Sequence, residues 1–325
     1  MKKIFRFCCC ICMLMLLFAC SGKTAGDNKK KYFNLFTIKS SYLRTPFYNA
    51  GISLAYIINK NTEYIAMNSS YGLSENEKIQ SLVDGSASVA FISGPEAYMA
   101  YSGHPDYWDD SQNIRALFGF IPTVYNCVAY RSAGIKTLED LSGKQIVLDS
   151  VQTVTGNLLA YLLELNGITG SNTQIYRMRE TIGENLFKRQ DVDVMWYPMG
   201  REHAFFRDIN VKKDTGDVFY LIPCLEKNKL KEFLSVYPVF YTDSFSHGSI
   251  SCEKSLMAYS CLACSGDMDD ELAYRITKLW FENIDYIGQF FDSYHEDDAR
   301  MYACNVPLPF HAGAERYLRE SGLLK

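Results

Sequence analysis

Strand, helix and strand alternate twice along this chain, and a chain with that grammar has few ways to fold. In the first block residues 34–39 read as a strand and residues 47–59 as a helix carrying Ile52, Leu54, Ala55, Ile57 and Ile58. A strand over 63–67 follows. Ser74-Glu-Asn-Glu77 then has the form of a capping box, opening a helix through Ile79, Leu82 and Val83 to Gly85, and residues 88–92 form an apolar strand. The second block repeats the pattern: a strand at 145–148, a helix over 156–165 stopped by Gly167, a strand at 173–176, a helix, and a strand at 192–196. Strand-like runs at 114–120 and 124–131 join the blocks. An aromatic, turn-rich segment at 237–251 is followed by a strand-like run at 255–264 and helices over 269–289 and 312–321. The expected fold is α/β and two-lobed. Each lobe is expected to hold a mostly parallel sheet covered by helices, with a double crossover as hinge. Residues 32–123 plus 256–325 make lobe 1 and residues 124–255 make lobe 2.

The first residues carry Lys2, Lys3 and Arg6, turn apolar from Phe7 to Ala19, and close on Leu17-Phe-Ala-Cys20. A charged head, a short apolar run and a small residue before the cut describe a secretory signal, too short for a membrane span of about 20 residues. Ala19-Cys20 fits a lipobox, with Phe18 bulkier than usual there; an ordinary signal peptide that contains cysteines is the other reading. On the lipoprotein reading residues 1–19 are removed and Cys20 becomes the lipidated first residue. Residues 20–31, polar and ending in lysines, are then a flexible tether. The folded part works at the periplasmic face of a bacterial membrane, held there by lipid alone.

The chain has 325 residues, enough for two lobes, and 48% of them are hydrophobic. Its 37 acidic against 33 basic residues argue against nucleic acid, and loss of the signal removes only bases. Beyond the signal lie Cys127, Cys224, Cys252, Cys261, Cys264 and Cys304. An even number in an exported chain permits disulfides without requiring them. Cys261-Leu-Ala-Cys264 has redox or zinc spacing, yet it sits in a strand pattern, where alternation sends residues three apart to opposite faces. No metal-hydrolase HExxH, GxSxG elbow or P-loop occurs, so no catalysis, cofactor or metal is expected. His295-Glu-Asp-Asp298 is expected to face water.

The ending Val306-Pro-Leu-Pro-Phe-His-Ala-Gly-Ala-Glu-Arg-Tyr-Leu-Arg-Glu-Ser-Gly322 resembles that of the TAXI family, the solute receptors of tripartite TRAP transporters. Pro309, His311, Gly313, Ala314, Tyr317, Glu320 and Gly322 carry the match. Residues 132–144 look like the family's linker into the second lobe, and Gly85, Gly103, Asp193, Gly200 and Tyr237-Pro238 fall at family spacings. The resemblance implies a two-lobed receptor of the type II-like periplasmic-binding-protein fold that closes on a small, usually carboxylated, organic-acid or amino-acid-like solute and hands it to TRAP permease subunits. An orphan sensor or a surface-antigen lipoprotein without transport is the alternative. His311, inside the signature, is expected to be structural.

Ligands of parallel sheets sit beyond the carboxyl ends of strands, where helix N-termini offer N–H groups. The expected ligand-binding residues therefore lie in the strand-to-helix turns. The first turn supplies Ser41, Arg44, Thr45 and Tyr48, where Arg44 is either a carboxylate clamp or a solvated arginine. Tyr71 and Ser74 follow, Ser74 being either a ligand contact or only a helix cap, with Lys78 where the family has Asn. Ser93 and Gly94 come from the third strand's end. The second lobe offers Thr153, Thr155, Tyr197, Gly200 and His203, and Tyr241 joins Tyr48, Tyr71, Trp196 and Tyr197 as a possible aromatic wall, unless these rings simply seal the lobes.

Overall fold

The computed structural model describes residues 34–41, 45–63, 65–104, 108, 110–125, 127–200, 203, 205, 219–221, 227–247, 250–291 and 294–325. Leu35–Lys325 is one compact unit. The proposed lipid site Cys20, the tether, Arg44 and Cys224 lie outside the described residues. No helix among the described residues is long and apolar enough to cross a membrane.

The first block forms β1 (Asn34–Lys39), α1 (Pro46–Asn61), β2 (Ile65–Ser70), α2 (Glu75–Val83), β3 (Val89–Ile92) and α3 (Gly94–Ser102). Thr45 caps α1 by accepting from the Tyr48 N–H, and Pro46 starts the helix where its missing N–H costs nothing. α1 buries Leu54, Ile57 and Ile58 on one face. The capping box of α2 is present: Ser74 accepts from the Glu77 N–H, and Glu77 accepts from the Ser74 N–H at 2.8 Å.

Two strands, β4 (Ile114–Val124) and β5 (Val128–Tyr130), lead to the second block, β6 (Gln145–Leu148), α4 (Val154–Leu165), β7 (Gln174–Arg177), α5 (Glu180–Lys188) and β8 (Val194–Trp196). Then come β9 (Met199–Gly200), β10 (Phe219–Leu221), α6 (Lys227–Val236) and the long pair β11 (Phe240–His247) and β12 (Ile250–Ser265). The chain ends in α7 (Asp270–Glu282), α8 (Ile284–Gly288), α9 (Glu296–Tyr302) and α10 (Ala312–Glu320).

Two sheets result, so the fold is the two-lobed α/β expected. One has the order β2-β1-β3-β12-β4-β9 with β11 on β12; the other runs β10-β5-β8-β6-β7. The βαβ blocks pair in parallel, β1 with β3 and β6 with both β7 and β8. Antiparallel strands extend both sheets: β12 against β3, β4 and β11, and β5 against β8 and β10. β11 corrects the turn-rich reading of 237–251. Its aromatic and Thr residues favour an extended chain, and Phe240 and Phe245 are buried along it. α3 was hidden by Gly94-Pro95, which looks like a turn but opens a helix with Pro in its first turn. The helix expected over 269–289 divides at Asn283 into α7 and α8.

Aromatic residues dominate the first core. Phe118 stacks on Trp280 at 5.0 Å, Phe120 meets Tyr294 edge-on at 5.1 Å, and the Trp280 indole donates to the Tyr294 hydroxyl at 3.0 Å. Gly119 lies under the end of α9, its N–H donating to Ala303 O at 2.8 Å. A Cβ there would collide with the Tyr302 carbonyl. The second core packs Leu158, Leu159, Leu162 and Leu163 of α4 on Ile146, Leu148, Val194 and Trp196. Phe240, Leu256 and Ala258 belong to that core although their strands pair in the first sheet, so the β11–β12 ribbon is shared by both halves.

The remaining sequence readings fall out of this packing. Cys261 and Cys264 are buried on opposite faces of β12, in different cores, and both are free thiols pushed well above the usual range by burial. Cys304 is free as well, and Cys127 and Cys252 are buried. His311 caps α10, accepting from the Gly313 N–H at 3.2 Å with its other ring nitrogen 2.9 Å from Met268 O. His295 is exposed.

Candidate functional site

Strand-to-helix turns of both sheets meet around a buried polar network. Lys78, on the second turn of α2, is fully buried. Its ammonium has three donors and all are engaged, to Ser41 Oγ at 2.8 Å, Glu75 Oε1 at 2.6 Å and Phe91 O at 2.6 Å. The Phe47 ring lies 4.8 Å from the same nitrogen. Burial lowers the Lys78 pKa, and the carboxylates of Glu75 and Glu96 oppose that shift. Glu75 then reaches the next turn, its Oε2 accepting from the Ser93 N–H at 3.0 Å.

Glu96, in the first turn of α3, is 2% exposed. One of its carboxyl oxygens accepts from the Thr155 N–H at 3.0 Å and from the Thr155 hydroxyl; the other accepts from the Ser93 hydroxyl. Thr155 stands in the first turn of α4, whose helix covers the other sheet, so this contact runs from one half of the protein to the other. Burial raises the Glu96 pKa, nearby Glu75 adds to the rise, and the Ser93 and Thr155 hydroxyls oppose it. Hydrogen bonds with Ser74 hold the Glu77 carboxyl below its usual range, and the charge of Arg179, before α5, adds a little to that.

The second sheet's carboxyl ends carry their own group. Asp149 follows β6 and accepts from the Ser150 N–H at 2.8 Å and the Thr153 hydroxyl at 3.1 Å, while burial raises its pKa. Thr153 caps α4 by accepting from the Gly156 N–H at 3.0 Å. Beside them Glu180, Glu184 and His203 bring three ligand atoms within 4.8 Å of one another, a set that could hold a metal ion. Its hydrogen bonds give each atom another task. His203 Nδ1 accepts from the Phe205 N–H at 3.1 Å, so the imidazole proton sits on Nε2, 2.6 Å from Glu180 Oε1, and Lys188 pairs Glu184 at 3.1 Å. Burial lowers the His203 pKa, but Glu180 and Glu184 outweigh it and the net shift is upward, with Lys188 opposing.

Of the expected site residues, Ser41, Ser93 and Thr155 enter this network directly. Gly94 lies beside it, so close to the Tyr259 carbonyl that a Cβ would clash. Thr45, Ser74 and Thr153 cap helices at its edge. Tyr48 and Tyr71 meet edge-on at 5.2 Å, Tyr71 being 54% exposed. Gly200 faces Pro46 and Ile121. Tyr241 stacks on Tyr259 at 4.7 Å and is half-buried. Tyr197 is buried, its hydroxyl donating to Met178 O at 3.0 Å against Gly183. Trp196 is fully buried and donates to Tyr125 O at 2.9 Å, which removes it from any aromatic wall: β8 is a central strand covered on both faces.

Sequence reasoning missed Glu75 and Glu96 as site residues and gave Lys78 no role. Glu96 had a readable signal, being the only charge in the apolar run from Val89 to Ser102.

Among solved structures, a periplasmic sulfonate-binding protein from Methylobacillus flagellatus is 12% identical, covering 90% of this chain and 88% of its own, with a TM-score of 0.49. A binding protein of an ABC phosphonate transporter from Pseudomonas aeruginosa is 10% identical over 76% of this chain and 74% of its own, TM-score 0.48. A substrate-binding protein of an ABC uptake transporter from Streptococcus pneumoniae, with bound histidine, is 17% identical over 83% and 98%, TM-score 0.45. These likenesses are too distant to assign a ligand. The match to the NMT1-like family model runs over residues 44–322, which leaves out β1 and Ser41 but includes Glu75, Lys78, Ser93, Glu96 and Thr155, and the chain belongs to that family.

Proposed function

We propose that this protein is an extracytoplasmic solute receptor that closes its two halves on a small polar metabolite and delivers it to a membrane permease. The observation that carries the reading is the meeting of carboxyl-end turns from two separate sheets, bridged by Glu96 and Thr155 and joined behind by the β11–β12 ribbon. Such a layout lets two halves move about strands that both share and places helix N-termini at the contact.

In this reading residues 32–123 with 256–325 form one lobe and 124–255 the other, Cys20 carries the lipid, and the permease is of the TRAP class implied by the C-terminal signature. Arg44, Thr45, Tyr48, Tyr71, Ser74, Gly94, Thr153, Gly200, His203 and Tyr241 supply or support the solute contacts, Ser41, Ser93 and Thr155 hold the polar network behind them, and Tyr197 packs in the core.

Thermal unfolding of the full chain against dicarboxylates, amino acids, keto acids and aromatic acids tests it. A solute at 100 times its dissociation constant stabilises by about 2.7 kcal/mol, a rise of several degrees. A dose-dependent rise names the solute class. A folded protein that answers to none of the panel, and to none of a wider set of sugars and amines, rejects the receptor reading.

A further inference from the structure

We propose that Glu96 determines the specificity of this cleft: it fills from within the chain the position that α4 offers to a solute's carboxylate, and so excludes such a group from that position. The inference rests on the receptor reading and deepens it.

The argument begins with the donors that face the junction. In the first turn of α4 the Thr155 N–H and hydroxyl both point to Glu96, while the Gly156 N–H points to the Thr153 hydroxyl. Across the junction the Ser93 hydroxyl holds the other Glu96 oxygen, and the Ser93 N–H holds Glu75. Lys78, the buried cation nearest these groups, has no free hydrogen, its three donors lying on Ser41, Glu75 and Phe91. A helix N-terminus, two hydroxyls and an ammonium are what a carboxylate-binding site is made of. Here the chain's own groups engage them: Glu96 takes the Thr155 N–H and both hydroxyls, and Glu75, Ser41 and Phe91 share the ammonium.

A solute carboxylate entering this position would have to displace Glu96, leaving it buried beside Glu75 without its hydrogen bonds, which is costly. Charge does not decide the matter, because a neutral carboxyl of Glu96 fills the same space and accepts the same Thr155 N–H. The position is therefore closed to acids, and a solute must be held through other parts of the cleft.

Removal of the Glu96 side chain should create the vacancy, and acetate, which has the size and charge of what was removed, is the probe. Thermal unfolding of the full-length Glu96→Ala variant is followed in rising sodium acetate against sodium chloride at equal ionic strength. The expected result is a saturable, acetate-specific rise in Tm that is absent in the wild type and in Glu96→Gln, whose amide keeps the position filled. A Thr155→Val change added to Glu96→Ala should weaken the rise at least tenfold in acetate concentration. If Glu96→Ala is poorly folded, its refolding yield in acetate against chloride gives the same reading. No acetate-specific gain in either measurement overturns the proposal, as does an equal gain in the wild type. Silence of the protein towards every solute would reject the receptor reading and leave the acetate result standing on its own.

Discussion

The two sheets each place a base among carboxylates at their carboxyl ends, and they do it in opposite ways. In the first, Lys78 is fully buried and its three donors meet three acceptors, so its geometry is closed and its charge is tied to Glu75. In the second, His203 sits between Glu180 and Glu184, which keep part of their side chains in water, and its Nδ1 takes a backbone N–H. The same chemistry is a structural pin where water is excluded and a titrating group where water is admitted.

The largest effect should come from breaking the pin. Lys78→Ala leaves the Glu75 carboxylate and the Phe91 carbonyl without their partner and is expected to cost about 3–5 kcal/mol, read as a lower midpoint in urea unfolding. A loss below about 1 kcal/mol would show that the network is exchangeable with water and that the contrast with His203 is not real.

Glu96 sharpens the comparison through pH. Its native pKa is raised above that of the unfolded chain, so its contribution is fully present below the ordinary carboxylate range and is lost as pH rises through the native value. Glu75 and Lys78 face it from α2, Ser93 precedes it, Thr155 meets it from α4, and Tyr125 lies close enough to feel its charge. Wild type should therefore lose stability relative to Glu96→Gln, which cannot ionise, as pH rises above the ordinary carboxylate range; parallel curves of Tm against pH would count against the assignment.

Ser74→Ala removes the cap of α2 and should cost about 1 kcal/mol by urea unfolding, without changing solute affinity if Ser74 is only a cap. The smallest effect is expected at His203. Its raised native pKa means that its stabilisation is complete below about 6.5, the unfolded value, and fades as pH climbs through the native one. His203→Gln should flatten that decline slightly, and an unchanged slope in the Tm profile would place the titration elsewhere.

How much of this was legible in the sequence can be judged element by element. The capping box at Ser74 and the buried strand around Cys261 were readable because each depends on neighbours within a few residues. β11 and α3 were not, since an aromatic stretch and a Gly-Pro pair fit more than one local conformation until packing selects. The site divided in the same way: Ser93 and Thr155 followed from the turns in which they lie, but nothing near Glu96 in the chain says that its partner is 59 residues away.

By itself the sequence determined the alternation of strands and helices, the two α/β halves and the polar turns at their ends, because periodicity and capping are short-range properties. Tertiary structure alone decided which turns meet, that Trp196 and Tyr197 are buried where they looked available, and that a carboxyl group from one half occupies the helix start of the other. Those outcomes depend on burial and on pairing across long stretches of chain, where the removal of water changes what a charged side chain can do.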